Sequence, residues 1–328
     1  MLRLRRREFL VVGGALLAAI GARGFAQAPQ RAVVGFLSAG SMTTSAWAPL
    51  FRQSFRGLGW IEGQNLTMEW RFYDGTGENL RELASDLVRL KVHAIVASNT
   101  IAAEAAKRAT GSIPIVVLNV LDPVGAGFAQ SLARPGGNMT GVLYADPAFW
   151  AKTLQLMKDT NPSVNKVGWL YPTTFPGIQP YLRAVEAAGR EMGLTIYLLP
   201  VARTEDLDGA LAAARNEGID AFRVTTAGVL VAAESRIREF AAANKLLDVY
   251  SLPSYVERGG FMSYSPRTSD NAARGAALVD RILKGAKPAE LPFEYPTRTE
   301  LVLNLKAAKQ RGISVPQSVL LRADRVIE

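Results

Sequence analysis

The sequence predicts an α/β protein made of two doubly wound parallel-sheet lobes joined by a hinge. Short, continuous apolar runs, typical of buried parallel strands, alternate along the chain with segments in which apolar residues recur at helical spacing. This alternation occurs in two series, one before and one after residues 140–142. The length of 328 residues is sufficient for about two domains.

Composition excludes several classes of protein. Hydrophobic residues make up 48% of the chain and charged residues 20%, which excludes disordered, collagen-like and coiled-coil proteins. The net charge is +9, and five arginines against one glutamate in residues 1–28 account for four of these charges. The remaining basic side chains are interspersed with acidic ones, so we expect no nucleic-acid partner.

The N-terminus has the three parts of a signal peptide. Four arginines within residues 3–7 precede a 14-residue apolar stretch, residues 9–22, and residues 26–28 read Ala-Gln-Ala. The apolar stretch is too short to span a bilayer. Residues 6–10 (RREFL) fit a twin-arginine export signal, with the general secretory route as the alternative. We therefore expect a signal peptide over residues 1–28, cleavage after Ala28 and a periplasmic location.

Cysteine is absent and His93 is the only histidine. These facts exclude disulfides, thiolate metal sites and a lipidated cysteine, and they exclude zinc sites and Ser-His-Asp or Cys-His catalysis. We expect a structural role for His93, no metal, no cofactor, and a protein that is free in its compartment as a monomer.

The hydrophobic pattern gives the elements of each lobe. In the first series it predicts strands at 32–37, 66–73, 94–97 and 115–120, and helices at 47–58, 80–90, 101–109 and about 124–132. In the second it predicts helices at 150–158, 181–192, 207–217 and 231–244, and strands at 167–171, 195–199, 221–225 and 247–252. A further helix is predicted at 271–284, after the last strand of the second series, and we expect it to pack on the first lobe. The expected division is residues 29–141 with 265–290 for lobe 1, and 142–264 with 291–328 for lobe 2.

Ligands of open α/β sheets bind beyond the carboxyl ends of the strands. The residues predicted there are mostly small and neutral, and several of them begin a helix whose free amides favour an anionic group. An ordinary helix cap is the alternative for each serine, threonine and asparagine. The candidate binding residues at these ends are Ser38, Ser98, Asn99, Thr100, Asp122, Tyr171, Thr225, Tyr264 and Ser265.

The same strand ends lack catalytic groups. Asp122 is the only carboxylate among them, and it could cap the next helix or contact a ligand ammonium group. No second carboxylate pairs with it, and no phosphate-binding glycine loop or Gly-x-Ser-x-Gly motif is present. The pattern favours a protein that traps a solute and disfavours an enzyme, so we expect no catalytic residues.

Several long motifs carry a resemblance to a known family. They are GFLS (35–38), FRQSFRGLGWIEGQ (51–64), DPVGAGFAQSLARPGGNMTG (122–141), GGFMSYSP (259–266), ILKGAKPA (282–289), LVLNLKAAK (301–309) and ADRVIE (323–328). The chain resembles the substrate-binding proteins of ABC transporters in the tryptophan/tyrosine-type family. The resemblance implies a type I periplasmic-binding fold, a ligand held between two closing lobes, and delivery to a membrane permease driven by a separate ATPase. Some members are associated with aromatic amino acids.

The resemblance also implies ligand contacts at particular positions, namely Ser38, Ser98, Asn99, Thr100, Asp122 and the neighbourhood of Tyr264 and Ser265. The second lobe departs from the family pattern. Residues 225–228 read Thr-Thr-Ala-Gly where members tend to have Asp-Pro, and residues 171–172 read Tyr-Pro where they have Asn-Pro. The missing carboxylate removes the usual partner of an α-ammonium group.

We therefore expect a carboxylate-bearing or aromatic ligand that is not a standard amino acid. Tyr171, Phe175 and Tyr255 are candidates for ring stacking, with a place in the core as the alternative for each. The expected function is that of a periplasmic solute-binding component of an ABC uptake transporter. A periplasmic sensor subunit that docks on a signalling receptor is the alternative.

Overall fold

The computed structural model describes residues 31–39, 41–43, 45–73, 79–146, 148–173, 178–225 and 229–328. Its first sheet is entirely parallel, with strand order β2-β1-β3-β4-β5. The elements of this part are β1 (Ala32–Ala39), α1 (Trp47–Gly57), β2 (Leu66–Tyr73), α2 (Leu80–Arg89), β3 (Ala94–Ala97), α3 (Thr100–Ala109), β4 (Ile115–Val120) and β5 (Met139–Leu143).

The second sheet has seven strands in the order β12-β11-β10-β9-β8-β6-β7, parallel except for the pair β10 and β11. Its elements begin with α4 (Phe149–Thr160), β6 (Lys166–Pro172), α5 (Ile178–Glu191), β7 (Thr195–Val201), α6 (Leu207–Asn216), β8 (Ala221–Val224), α7 (Val229–Ala232) and α8 (Glu234–Ala243). They continue with β9 (Leu247–Tyr250), α9 (Pro253–Glu257), β10 (Met262–Pro266), α10 (Thr268–Leu283), β11 (Thr299–Asn304), α11 (Leu305–Arg311), α12 (Gln317–Leu320) and β12 (Arg325–Ile327).

Both faces of the first sheet are covered, which explains why its central strands are apolar without alternation. Phe36 packs on one face with α1 and α10, and Leu37 packs on the other face with α2 and α3. The strands β1, β3 and β4 were predicted from such runs, and each forms with its expected core. Each sheet with its covering helices is called a lobe below.

The chain crosses between the lobes three times. The first crossing follows β5, which ends at Leu143, two residues beyond the predicted boundary. The second follows β10, which belongs wholly to the second sheet, and leads to α10, which packs on α1 and β4 of the first lobe. Residues 291–294 then run beside β5, where Leu143 N donates to Glu294 O at 2.8 Å, before the chain returns to β11. After this excursion, β11 pairs with β10 in the antiparallel direction.

The helix predicted at about 124–132 does not form, and this prediction is wrong. Asp122 Oδ1 accepts hydrogen bonds from Val124 N and Gly125 N at 3.1 and 2.8 Å, while Phe128 N donates to Pro123 O at 2.7 Å. Gly127 has a φ of +69°, a left-handed conformation that interrupts a helix. The segment is therefore a series of turns, and Asp122 caps a turn instead of a helix.

Two smaller features complete the fold. The predicted helix at 231–244 is divided into α7 and α8 at Ala233. His93 connects two strands, because its Nδ1 accepts from Val33 N at 3.0 Å and its own N–H donates to Val33 O at 2.7 Å. Among the described helices, none has the length and apolarity needed to cross a membrane.

A buried ion pair anchors α11 to the second sheet. Arg311 Nε lies 2.7 Å from Asp248 Oδ1, and both side chains are fully buried. Asp248 Oδ2 also accepts from Phe261 N at 3.2 Å, which joins β9 to the start of β10. Burial raises the pKa of Asp248, and the charge of Arg311 opposes this shift. The pair leaves neither charge alone in the core.

Breaking this ion pair from one side should destabilise the protein strongly. We expect Arg311→Met to lower the free energy of unfolding by about 3 to 5 kcal/mol, because it leaves the Asp248 carboxylate buried and unpaired. Urea denaturation measures the change. The double variant Arg311→Met with Asp248→Leu should lose much less. Arg325→Met, which removes a half-exposed pair with Glu257, should change stability by less than about 1 kcal/mol. Equal losses in the single and double Arg311 variants would contradict this explanation.

Candidate functional site

The carboxyl edge of the first sheet brings two of the predicted serines together. Register pairs Leu37 of β1 with Ala97 of β3, so Ser38 and Ser98 are neighbours across the two strands. Ser98 N donates to Leu37 O at 3.0 Å, and both serine side chains are buried. The two hydroxyls therefore lie beside the beginning of α3.

The N-terminus of α3 has the features of an anion site. Asn99 caps the helix, with its Oδ1 accepting from Ala102 N at 3.0 Å, while its Nδ2 donates to the Tyr73 hydroxyl at 2.8 Å. The amides of Thr100 and Ile101 belong to the first turn and have no acceptor within the helix. Thr100 is fully buried, and its hydroxyl has no hydrogen-bond partner among the described residues. Free amides and a free hydroxyl at a positive helix end favour a carboxylate.

Tyr73 supports this arrangement as a neutral phenol. Burial raises the pKa of its hydroxyl, and the hydrogen bond from Asn99 opposes the shift in part. A neutral hydroxyl adds no negative charge beside the α3 amides, so it does not oppose an anionic ligand there.

A pair of asparagines joins the first sheet to the crossing helix. Asn119, at the end of β4, has a φ of +53°, and its Oδ1 accepts from Asn271 Nδ2 of α10 at 2.8 Å. Asn271 is buried. Asp122, three residues after Asn119, is half-buried and holds the turn described above. This places Asp122 on the same edge as α3, with one carboxylate oxygen already engaged by two amides.

Four polar residues, three of which were predicted as binding residues, form one row at the carboxyl edge of the second sheet. Thr225 N donates to Leu170 O at 3.0 Å, and the registers of β6, β8, β9 and β10 align the row across the sheet. The row consists of Tyr171, Thr225, Ser251 and Tyr264. Side chains alternate along a strand, so Ser265, which is also buried, faces the other side of the sheet from Tyr264.

Behind this row lies an aromatic cluster of six residues: Tyr144, Phe149, Trp150, Trp169, Tyr181 and Tyr264. Tyr264 stacks on Phe149 with ring centroids 5.0 Å apart, and Tyr144 stacks on Trp150 at 5.8 Å. Trp169 Nε1 donates to the Tyr181 hydroxyl at 2.7 Å, and that hydroxyl lies 3.5 Å from Thr225 Oγ1. Burial raises the pKa of Tyr181 to about 12, which keeps it a neutral donor.

The predicted ring-stacking residues fall in different places. Tyr171 lies in the row, and its pKa is raised by burial and by the charge of Glu186. Tyr255 is buried on the opposite face of the sheet, 5.2 Å from the Tyr250 ring centroid, so the sheet separates it from Tyr171. Phe175 lies outside the described residues, as do residues 1–28 and 226–228.

Three residues near the carboxyl edges of the two sheets were not predicted. They are Arg223, Tyr181 and Asn271. Arg223 did give a signal, because it is a single charge within the apolar strand β8. Tyr181 sits at a helical core position and Asn271 opens a helix, so neither could be distinguished from a core residue or a helix cap by sequence alone.

Two cavities lie at the other end of the first lobe. They have volumes of about 280 and 350 Å³. One includes Leu66 at the start of β2, and the other includes His93 and Pro114, which precede β3 and β4. None of the predicted binding residues lines them, so they are separate from the carboxyl edges. In the described part of the chain, no group of three or more acidic or histidine side chains is arranged to hold a metal ion.

Two parallel-dominated α/β lobes with polar groups at their carboxyl edges define the class of type I periplasmic-binding folds, and the predicted fold class is confirmed. The chain belongs to the family of ABC transporter substrate binding proteins, whose model matches residues 32–327. This confirms the resemblance of the motifs in the sequence.

Relatives and solved structures agree with this assignment. A tyrosine-binding protein of Clostridioides difficile is 24% identical over 277 residues, covering 84% of this chain and 79% of the relative. A conserved domain protein of Vibrio cholerae is 25% identical with a TM-score of 0.81, covering 90% of this chain and 99% of that chain. A Streptococcus pneumonia ABC domain in complex with L-Trp is 24% identical with a TM-score of 0.81, covering 90% and 100%. At 24% identity, the similarity to the complex with L-Trp shows that the two chains share a fold.

The buried phenol of Tyr181 should give the protein a measurable alkaline instability. The folded state keeps this proton up to about pH 12, whereas an unfolded tyrosine loses it near pH 10.0. Since the unfolded chain then binds fewer protons, this component of stability falls between those pH values by about 2 to 3 kcal/mol.

Urea unfolding of Tyr181→Phe from pH 8 to pH 11.5 tests this. At pH 8 the variant should be about 1 to 3 kcal/mol less stable, because the Trp169 indole loses its acceptor. The gap from the unmodified protein should shrink as pH rises. Tyr295→Phe, at a tyrosine that is 41% exposed, should show a constant gap. A constant gap for Tyr181→Phe as well would contradict the assignment.

Proposed function

We propose that this protein is the solute-binding component of an ABC uptake transporter and that it traps a small carboxylate-bearing ligand between its two lobes. It works outside the cytoplasmic membrane as a monomer, passes the ligand to a permease energised by a separate ATPase, and leaves the ligand chemically unchanged. Membership of the substrate-binding family supports the transport role.

The observation that carries this proposal is the N-terminus of α3. Its first-turn amides and the buried, unpartnered hydroxyl of Thr100 converge at the carboxyl edge of the first sheet. A hydrogen bond from a neutral donor to a charged acceptor contributes roughly 1.5 to 3 kcal/mol. Two or three such bonds to one carboxylate contribute about 3 to 9 kcal/mol, and burial of the ligand body supplies the rest of the roughly 8 kcal/mol of a micromolar complex.

The second lobe supplies the apolar part of the proposed site. The aromatic cluster and Tyr171 give ring faces at the carboxyl edge, which suit an aromatic or apolar ligand body. The tyrosine-binding relative and the neighbour with bound L-Trp support an aromatic, amino-acid-like ligand. Ser38, Ser98 and Asn99 complete the site on the first lobe, with Asp122 on the same edge. Thr225 and Tyr264 lie at the carboxyl edge of the second lobe, and Ser265 faces the other side of that sheet.

Export is part of the same proposal. The arginine cluster, apolar stretch and Ala-Gln-Ala sequence of residues 1–28 favour a signal peptide cleaved after Ala28, read by the twin-arginine system. Solute-binding proteins must meet their ligand before the permease does, so delivery across the membrane precedes function.

Carboxylates should bind and their neutral analogues should not. The panel is L-tyrosine, L-tryptophan, 3-(4-hydroxyphenyl)propionate, 3-indolepropionate and the amide of each. A true ligand at 100 times its Kd stabilises the folded state by about 2.7 kcal/mol, which raises Tm by a few degrees. Thermal unfolding should show this rise with an acid and almost none with its amide. An amide that binds as well as its acid would remove the carboxylate from the proposed site.

Thr100→Val tests whether the ligand carboxylate binds at the N-terminus of α3. The substitution removes a buried hydroxyl that has no partner, so the stability of the ligand-free protein should be nearly unchanged. Affinity for the acid, measured by calorimetry, should fall about tenfold or more. Thr160→Val, which removes a buried hydroxyl at the far end of α4, should leave affinity unchanged. An unchanged Kd for Thr100→Val would place the carboxylate elsewhere.

Binding should also bring the lobes together. A ligand held by both lobes stabilises the closed state by its differential affinity for that state. Solution scattering should therefore give a smaller radius of gyration at saturating ligand than without ligand. The amide of the same compound, at equal concentration, serves as the control. An unchanged radius at saturation would mean that the lobes form a fixed unit.

A further inference from the structure

Arg223 is a buried guanidinium that forms no ion pair with any acidic side chain in the described part of the chain. Only 1% of the residue is exposed. Among the described residues, no carboxylate oxygen lies within 4.0 Å of its nitrogens, and its Nε has no hydrogen-bond partner. The other buried arginine of this lobe, Arg311, lies 2.7 Å from Asp248. Of these two cations, Arg311 is neutralised by a direct ion pair, whereas Arg223 has no such contact with a described carboxylate.

The guanidinium of Arg223 lies at the carboxyl edge of the second sheet. Its Nη1 donates to Val224 O at 2.7 Å and to Val249 O at 3.3 Å, carbonyls at the ends of β8 and β9. The Val224 carbonyl also accepts from Ser251 Oγ at 3.3 Å, so the guanidinium adjoins the polar row. Its carbon atom is 5.8 Å from the centre of the Trp169 ring.

Carbonyl groups and an aromatic ring offset only part of the cost of burying this cation. Moving a guanidinium out of water is normally compensated by a carboxylate in direct contact. The planar guanidinium also matches a carboxylate with two parallel hydrogen bonds, which a backbone carbonyl cannot offer. The position beside Thr225 and Tyr181 makes the edge of the second lobe receptive to an anionic group.

We propose that Arg223 binds an anionic group of the ligand from the second lobe, and that the ligand is a dicarboxylic acid with an apolar or aromatic body. This inference rests on the proposed function, in which the N-terminus of α3 holds a first carboxylate on the other lobe. Each lobe then contributes one anion contact, so the ligand favours the closed state by joining them.

One acidic side chain stands near the aromatic cluster. Asp146 precedes α4, and its Oδ1 is buried with no partner among the described residues. It is not within 4.0 Å of Arg223, so it does not neutralise that cation. A ligand ammonium group would interact with Asp146, and a second ligand carboxylate would interact with Arg223. The two residues therefore distinguish a zwitterion from a diacid.

The binding test compares each diacid with its own monoamide. The probes are the α,ω-dicarboxylates from succinate to suberate, the three benzenedicarboxylates, their monoamides, L-tyrosine and L-tryptophan. Calorimetry should show at least one diacid binding the unmodified protein at least tenfold more tightly than its monoamide. Arg223→Met should weaken that diacid at least tenfold and remove the difference. Arg238→Met, at an arginine paired with Glu234 on α8, should leave both affinities unchanged.

Two further measurements separate a binding role from a structural one. Removing a buried, uncompensated cation should leave the Tm of the ligand-free protein unchanged or raise it, so Arg223→Met should be at least as stable as the unmodified protein. Arg223→Lys retains the charge but lacks the planar pair of donors. It should weaken the diacid several-fold and leave the monoamide unchanged. A lower Tm in Arg223→Met together with unchanged diacid affinity in both variants would overturn the proposal.

The remaining outcomes separate this proposal from the proposed function. If the diacids bind the unmodified protein and Arg223→Met equally well, the solute-binding function stands and the role of Arg223 is wrong. If an amino acid binds more tightly than every diacid and Asp146→Asn weakens it, the ligand is a zwitterion and the diacid assignment is wrong. If no compound in either panel binds, both proposals fail.

Discussion

The site depends on the common direction of the strands. In a parallel sheet every strand ends at the same edge, and the helix that follows each strand begins there, so free amides and positive helix ends collect along one line. For this reason Ser38 is a neighbour of Ser98 and Thr100, although it is far from both in sequence. Among the described strands only the pair β10 and β11 runs antiparallel, after the chain has visited the other lobe.

The interior handles its polar groups in two ways. Some of them are paired, as in the fully buried contact between Arg311 and Asp248. At the edges, the Thr100 hydroxyl and the Arg223 guanidinium are buried without a matching acceptor or counterion in the described part of the chain. Unsatisfied buried groups cost stability, so their presence at the carboxyl edge of each lobe fits groups whose partner arrives with a ligand.

The backbone determines where the strand ends lie, whereas the side chains at those ends determine which ligand groups the protein can bind. The neighbour with bound L-Trp superimposes with a TM-score of 0.81 at 24% identity, so the two chains share strand ends but differ in most side chains. Substitutions at those ends change which ligand groups are neutralised without disturbing the sheet. The guanidinium of Arg223 gives the second lobe a buried positive charge, while β8 lies between β6 and β9.

Much of the fold could be predicted because it depends on local pattern. The apolar runs of β1, β3 and β4 reflect burial on both faces, and the helices between them show the spacing of a single apolar face. The hydrophobic pattern gave a wrong prediction for residues 124–132. Their apolar residues have helical spacing, but the side chain of Asp122 and the left-handed Gly127 hold the segment in turns. Whether a side chain competes for the backbone amides of a helix depends on three-dimensional geometry, which the hydrophobic pattern does not contain.

The sequence by itself determined that two parallel α/β lobes form, that their strand ends are rich in hydroxyl and amide groups, and that histidine and cysteine chemistry is absent. Only the tertiary structure decided which of these groups are already paired. Among the residues that the structure describes, Asn99 is hydrogen-bonded to Ala102 and Tyr73, whereas the Thr100 hydroxyl beside it has no partner, and Arg223 lacks the carboxylate that Arg311 has. Pairing joins residues that are distant in the chain, so it follows from the packing of the strands and helices and cannot be found from local spacing.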